Sequence, residues 1–205
     1  MRADDRVPLA CLAATVAVTA ISRVGARDPA TWLMEVAPTL IALPILVATA
    51  GRFRFTSLVY VALALHAALL ATGGHWTYAQ VPLGFWVRDA LGLSRNHFDR
   101  LGHLAQGFVP ALVARELLLR TSPLRPGKWL VALVTLSVLG VSACYELIEW
   151  WAAVLLGQGA DAFLGSQGDP WDTQWDMFLA LCGALLAQAT LARWQDRQLS
   201  ARAAA

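Results

Sequence analysis

Long apolar runs, each about the length of a bilayer-crossing helix and each closed by a short charged connector, constrain this chain more than any other feature. A helix crossing the hydrocarbon layer needs roughly 20 mostly apolar residues. Such runs fall at about 7–22, 31–50, 55–73, 99–121, 129–156 and 172–193. The charge sits between them, in connectors such as Arg27-Asp28-Pro29 and Gly51-Arg52-Phe53-Arg54. Only 15% of the 205 residues are charged and 58% are hydrophobic, where a soluble domain carries about 25% charged residues. The expected fold is all-α: a polytopic membrane helical bundle of about six transmembrane helices, forming a single integral membrane domain over 1–205. A net charge of +2 without a basic helix or aromatic-interleaved basic patch excludes nucleic acid as a partner.

Arg2 and Arg6 precede the first apolar run, as in a signal peptide, but no small-x-small cleavage site follows before Arg23. A retained first helix is expected. Cys11, Cys144 and Cys182 lie in apolar runs, match no zinc spacing and are odd in number, so they read as small packing residues. Arg52, Arg54, Arg120, Arg125, Lys128, Arg193, Arg197 and Arg202 gather on the side of the N-terminus, which predicts N-in, C-in by the positive-inside rule. Trp32, Trp76, Trp86, Trp150, Trp151, Trp171 and Trp175 fall at the opposite, outer boundary, and Trp129 and Trp194 at the inner one. An interfacial belt accounts for most of them, and a roof over an outer site is the alternative.

Polar residues interrupt three of the runs at one depth. The fourth opens with Asn96-His97-Phe98-Asp99-Arg100-Leu101-Gly102-His103, placing Asp99 and His103 on one helical face, with Gln106 and Gly107 continuing it. The fifth carries Glu146 and Glu149 near its outer end. The sixth is entered through Gly165-Ser166-Gln167-Gly168-Asp169-Pro170-Trp171-Asp172-Thr173-Gln174-Trp175-Asp176, where Asp172 and Asp176 share a face and Asp169 can cap the helix. Ionisable groups within a membrane cost several kcal/mol and are normally paired, hydrated or functional. Several bare carboxylates together must be offset by protons, by arginines such as Arg95 and Arg100, or by a cation. His103, Glu146, Glu149, Asp172 and Asp176 are the candidate ligands for a divalent metal, the one candidate cofactor. Asp99, His103 and Glu149 are the candidate catalytic groups, with Asp99–His103 as a base and its orienting partner. The alternative is a hydrated network that only locks the helices together.

The connector at 74–98, with His75-Trp76-Thr77-Tyr78 and Pro82-Leu83-Gly84-Phe85-Trp86, is too apolar for a free loop. A re-entrant or interfacial segment between the third and fourth helices, capping the site, is expected. Substrate contacts or supporting roles fall to His75, Tyr78, Arg95, His97, Arg100, Gln106, Gln167 and Asp169. Arg115 and Glu116, at the other end of the fourth helix, are expected to snorkel or pair locally. His66, in mid-span, reads as a helix–helix hydrogen bonder.

The strings Gly74-His75-Trp76-Thr77-Tyr78-Ala79, Arg95 through His103, Glu146-Leu147-Ile148-Glu149-Trp150 and Gly165 through Asp172 resemble the signatures of the YjdF-like family of bacterial inner-membrane proteins. The resemblance covers nearly the whole chain and implies a multi-span inner-membrane protein without an established activity. The pattern of D-x-x-x-H, then Glu, then an Asp-rich helix entry is also similar, more loosely, to VanZ-like membrane proteins.

Three functions are open to such a chain. The first is a metal-dependent enzyme or binder, acting at the outer face on an envelope lipid or a lipid-linked or small-molecule headgroup. The second is a small ion-coupled transporter, which the scarcity of ionisable groups in the inner half weakens. The third is a structural or assembly protein.

Overall fold

The computed structural model describes residues 6–156 and 166–203. Part of the Gly-rich connector expected at 157–171, and the chain ends with Arg2, lie outside the described residues. The order is α1 (Arg6–Arg23), α2 (Pro29–Thr49), α3 (Ser57–Trp76), a 3-10 turn (Tyr78–Gln80), α4 (Pro82–Leu91), α5 (Phe98–Thr121), α6 (Lys128–Leu156) and α7 (Asp172–Ala203). Among the described residues there is no strand.

Local sequence explains most of the boundaries. Asp28 caps α2 by accepting from the Ala30 amide at 3.0 Å and the Thr31 hydroxyl at 2.8 Å, with Pro29 in the first turn. These donors hold its carboxyl below the usual range, the Thr31 hydroxyl most of all. Gly92, at φ +63°, ends α4 in the left-handed conformation that glycine adopts most readily. Helix α3 runs three residues past its expected end, through Gly73-Gly74. There Gly74 lets α3 approach Trp32, Glu35 and Val36 of α2 closely. Helix α7 continues ten residues beyond the expected apolar end, because its polar tail has partners: Gln195 donates to the Leu112 carbonyl at 2.8 Å, and Gln198 accepts from the Leu58 amide at 3.1 Å.

Helices α1, α2, α3, α6 and α7 are long and apolar enough to cross a membrane. Helix α5, with 24 residues, is long enough but carries Asp99, Arg100, Arg115, Glu116 and Arg120. It resolves this by lying inside the bundle, against α7 above all and also α3 and α6. The core packs Val59 of α3 and Leu112 of α5 against Val134 and Val138 of α6 and Ala184 and Ala187 of α7. Large apolar side chains such as Ile41, Leu65, Leu136 and Leu155 point outward, as a lipid-facing surface requires.

Val7, Ser57, Trp194 and Gln198 line one cavity, so both described chain ends lie at one end of the bundle. The opposite end carries α4 and the starts of α5 and α7. The ten-residue α4 is too short to span and exposes Leu83, Trp86 and Leu91, which matches an interfacial segment.

The α5–α7 contact is the tightest in the fold. A Cβ at Gly107 would sit on the Ala180 carbonyl oxygen, and one at Gly183 on the Leu104 carbonyl oxygen. This backbone-to-backbone approach is the membrane use of small residues. Gly107→Ala is therefore expected to destabilise the bundle by about 1–3 kcal/mol through overpacking. Gly140→Ala, in open space on α6, should be neutral or slightly stabilising; thermal unfolding in detergent compares the two.

Candidate functional site

The site begins with an asparagine. Asn96 is buried between α4 and α5, where its side-chain amide donates to the carbonyls of Ala79 at 3.1 Å and Val81 at 3.0 Å. Its Oδ1 accepts from the Phe98 amide at 3.0 Å, opening α5 in place of a His97 cap. Gln167, at φ +48°, pairs with the Asn96 backbone in both directions: its Nε2 donates to the Asn96 carbonyl at 2.7 Å and its Oε1 accepts from the amide at 3.2 Å. The entry to α7 is thus tied to the entry of α5.

Two arginines complete that tie. Arg95 Nη1 reaches Asp172 at 2.9 Å, Asp169 at 3.3 Å and the Ser166 carbonyl at 2.9 Å. Arg100 reaches Asp169 at 2.8 Å and lies over the Trp175 ring at 5.0 Å. Asp169 divides its oxygens: Oδ1 takes the Trp171 amide at 3.0 Å, and Oδ2 takes the guanidiniums. It therefore serves a turn and an ion-pair network, because the helix begins at Asp172 and not at Pro170. Asp172, a candidate metal ligand from spacing, stands with Arg95 in this network.

One layer deeper, the carboxylates lose their cations. His103 is central and 7% exposed. Its Nδ1 is 2.8 Å from Gln106 Oε1, and its Nε2 faces the carboxyl groups. Nε2 lies 3.5 Å from Asp99 Oδ1 and 3.7 Å from Asp176 Oδ2. Both distances exceed an ordinary hydrogen bond. Glu146 Oε1 stands 4.0 Å from Nδ1, and His103, Glu146 and Glu149 can bring one ligand atom each within 4.8 Å of one another. Asp99 Oδ2, Glu146 Oε1 and Asp176 Oδ1 are buried with no hydrogen-bond partner among the described residues.

Asp99, His103 and Glu149 line a cavity of about 130 Å³ between α2, α3, α5 and α6. Tyr78 closes it, its ring filling the space left by Gly73 and Gly102 and packing 5.8 Å from Phe98. A Cβ at either glycine would strike the Tyr78 ring. The roof is thus a tyrosine from the 3-10 turn between α3 and α4. Trp86, Trp150, Trp151, Trp171 and Trp175 are exposed, which fits a belt at the membrane interface.

Comparison with known proteins agrees with this architecture. Residues 7–197 match the family described as predicted membrane protein (DUF2238). The chain is also 56% identical over 176 residues to the inner membrane protein YjdF of Escherichia coli (strain K12), covering 86% of this chain and 84% of that protein. The chain belongs to this family. No solved structure matches it. Membership makes the chain an integral membrane protein of several spans and leaves its chemistry to the site.

Glu35 and Tyr145 line the same cavity and were not singled out in the sequence. Glu35 is 6% exposed, and its Oε2 accepts from the Tyr145 hydroxyl at 3.5 Å. A lone carboxylate within an apolar run was the available signal. His75 is elsewhere: its Nδ1 meets the Ser22 carbonyl at 2.8 Å, and its ring packs edge-on against Trp76. His66 corrects the expectation of an interhelical hydrogen bond. Its Nε2 is buried with no partner among the described residues, on a wall shared by three cavities.

His97 stands at the α5 entry, beside the arginine–aspartate network. Burial first, then Arg100 and Arg95, lowers its pKa below the ordinary 6.5. In the window below 6.5 the unfolded chain binds the extra proton more readily, so stability falls as pH drops through it. His97→Gln should remove this component: melting temperatures of the two proteins should run parallel above 6.5 and diverge below it, the variant losing less.

Proposed function

We propose that this protein is a metal-dependent membrane enzyme acting on the polar headgroup of a lipid or lipid-linked molecule. The carrying observation is the cluster of carboxyl groups around His103 that have no guanidinium partner. Glu35, Asp99, Glu146, Glu149 and Asp176 converge there with one imidazole, while Arg95 and Arg100 are engaged with Asp169 and Asp172. Two like charges 4 Å apart cost about 4 kcal/mol even at an effective dielectric of 20. A divalent cation offsets this repulsion and uses the buried, unpartnered oxygens.

Nε2 of His103 with Asp99 and Asp176 is the favoured ligand set. Tetrahedral ligands about 2.0–2.1 Å from zinc stand about 3.3 Å apart, close to the 3.5 and 3.7 Å separations at Nε2. Gln106, holding the other ring nitrogen, is the outer partner that a metal-bound histidine needs. In this role the cation polarises an ester or phosphoryl oxygen or activates water. Glu149 and the Glu35–Tyr145 pair, which line the same cavity, are placed to take up or return a proton.

A lipid-linked substrate is supported by the position of the cavity. It lies at the end of the bundle that carries the interfacial α4, and it shares Pro38, His66, Leu70 and Pro110 with an apolar cavity of about 240 Å³. With both termini in the cytoplasm, the site faces outward.

Elemental analysis of the purified full-length protein is expected to find about one divalent ion per chain. His103→Ala and Asp176→Asn should lose it, and His97→Gln should keep it. Removal by chelator should cost about 4 kcal/mol of stability for a metal present at a thousand times its dissociation constant. Metal-free protein with chelator-insensitive melting would refute the metal. Retained metal with no turnover of any headgroup in membrane lipid extracts would refute the enzyme.

A further inference from the structure

The opposite end of the bundle holds a second cavity with the reverse charge. It measures about 650 Å³ and lies between the end of α5, the connector before α6 and the tail of α7. Arg120, Arg125 and Arg202 line it, with Asp196 the one carboxylate among the lining residues. Asp196 already accepts from Arg115 at 2.8 Å. Glu116, fully buried, is shared between Thr56, Gln195 and Arg120.

Two of the guanidiniums converge on a neutral atom. Arg120 Nη1 and Arg202 Nη1 both donate to the Arg54 carbonyl, at 2.6 and 2.7 Å. Glu116 balances Arg120 at 2.9 Å, whereas Arg202 meets only the partial charge of that carbonyl among the described residues, which leaves a cation at the cavity for an anion to match. Arg125 is exposed at the rim and has no ion-pair partner among the described residues. Exposed Trp194, two residues before Asp196, and exposed Trp129, four after Arg125, mark this level as the headgroup region.

We propose that this cavity binds the headgroup phosphate of an anionic phospholipid. Arginine forks match phosphate oxygens in geometry and charge. The cavity opens at the depth where a bilayer presents those phosphates, and basic pockets between transmembrane helices are suited to such headgroups.

The test uses the full-length protein mixed with equal phosphatidylglycerol and phosphatidylcholine, reading bound lipid by native mass spectrometry. The wild type should retain phosphatidylglycerol preferentially. Arg125→Gln should reduce that preference about fivefold, the equivalent of the ~1 kcal/mol carried by one arginine at an anionic surface. Arg125→Gln with Arg202→Gln should reduce it further, and Arg88→Gln, at the other end, should leave it unchanged. Melting in phosphatidylcholine alone checks the fold, and Arg125, exposed in a connector, keeps the test open if the double variant unfolds. Equal retention of both lipids by the wild type, or an unchanged preference in folded Arg125→Gln, would overturn the proposal. Complete displacement of phosphatidylglycerol by inorganic phosphate would also overturn it, assigning the cavity to the free ion.

Discussion

Helix α5 must keep charged side chains at both of its ends away from lipid, and the rest of the bundle is arranged around that need. A charge facing hydrocarbon costs several kcal/mol, so α5 is enclosed by α3, α6 and α7. Its approach to α7 is close enough that glycine is required at Gly107 and Gly183. Those contacts set the depth at which Asp99 and His103 meet Asp176. The small residues of the sequence thereby fix the geometry of the polar ones.

The two ends of α5 solve the burial problem differently. At the end near the chain termini, Glu116 accepts from Thr56, Gln195 and Arg120, and Arg115 is bound to Gln195 and Asp196. Of the two expectations for them, snorkelling or local pairing, the second holds: both are buried and paired. At the other end the outer layer, Asp169 and Asp172 with Arg95 and Arg100, is similarly balanced. The inner layer is not: buried oxygens of Asp99, Glu146 and Asp176 lack partners among the described residues.

Much of this was legible beforehand because membranes impose strict rules on sequence. About six spans were expected from apolar length; five helices have the length and apolarity to cross, and the sixth, α5, is long enough but charged. The interfacial segment follows from aromatic content too high for a loop. The i,i+4 pairs Asp99/His103 and Asp172/Asp176 lie close to the site as their spacing implied, but Asp172 and Asp176 then diverge in role. Asp172 meets Arg95 and Asp176 meets His103. Helical periodicity gives a shared face, and a face one turn long still reaches two layers of different charge. Glu35 escaped notice because it has no motif around it; only the packing of α2 against α3 at Gly74 brings it to the cavity.

The sequence by itself determined the solvent and therefore the architecture, because a helix in hydrocarbon must satisfy its own backbone and show lipid an apolar surface. It also named most of the polar residues that matter, since ionisable groups are rare in such helices and stand out. Tertiary structure alone decided which carboxylates have a cation. That depends on contacts between positions about 70 residues apart, Arg95 with Asp169 and Arg100 with Asp169 among them, and local pattern carries no information at that range. It also decided that Tyr78 is the roof, because only the close approach of α3 and α5 at Gly73 and Gly102 leaves a slot for its ring.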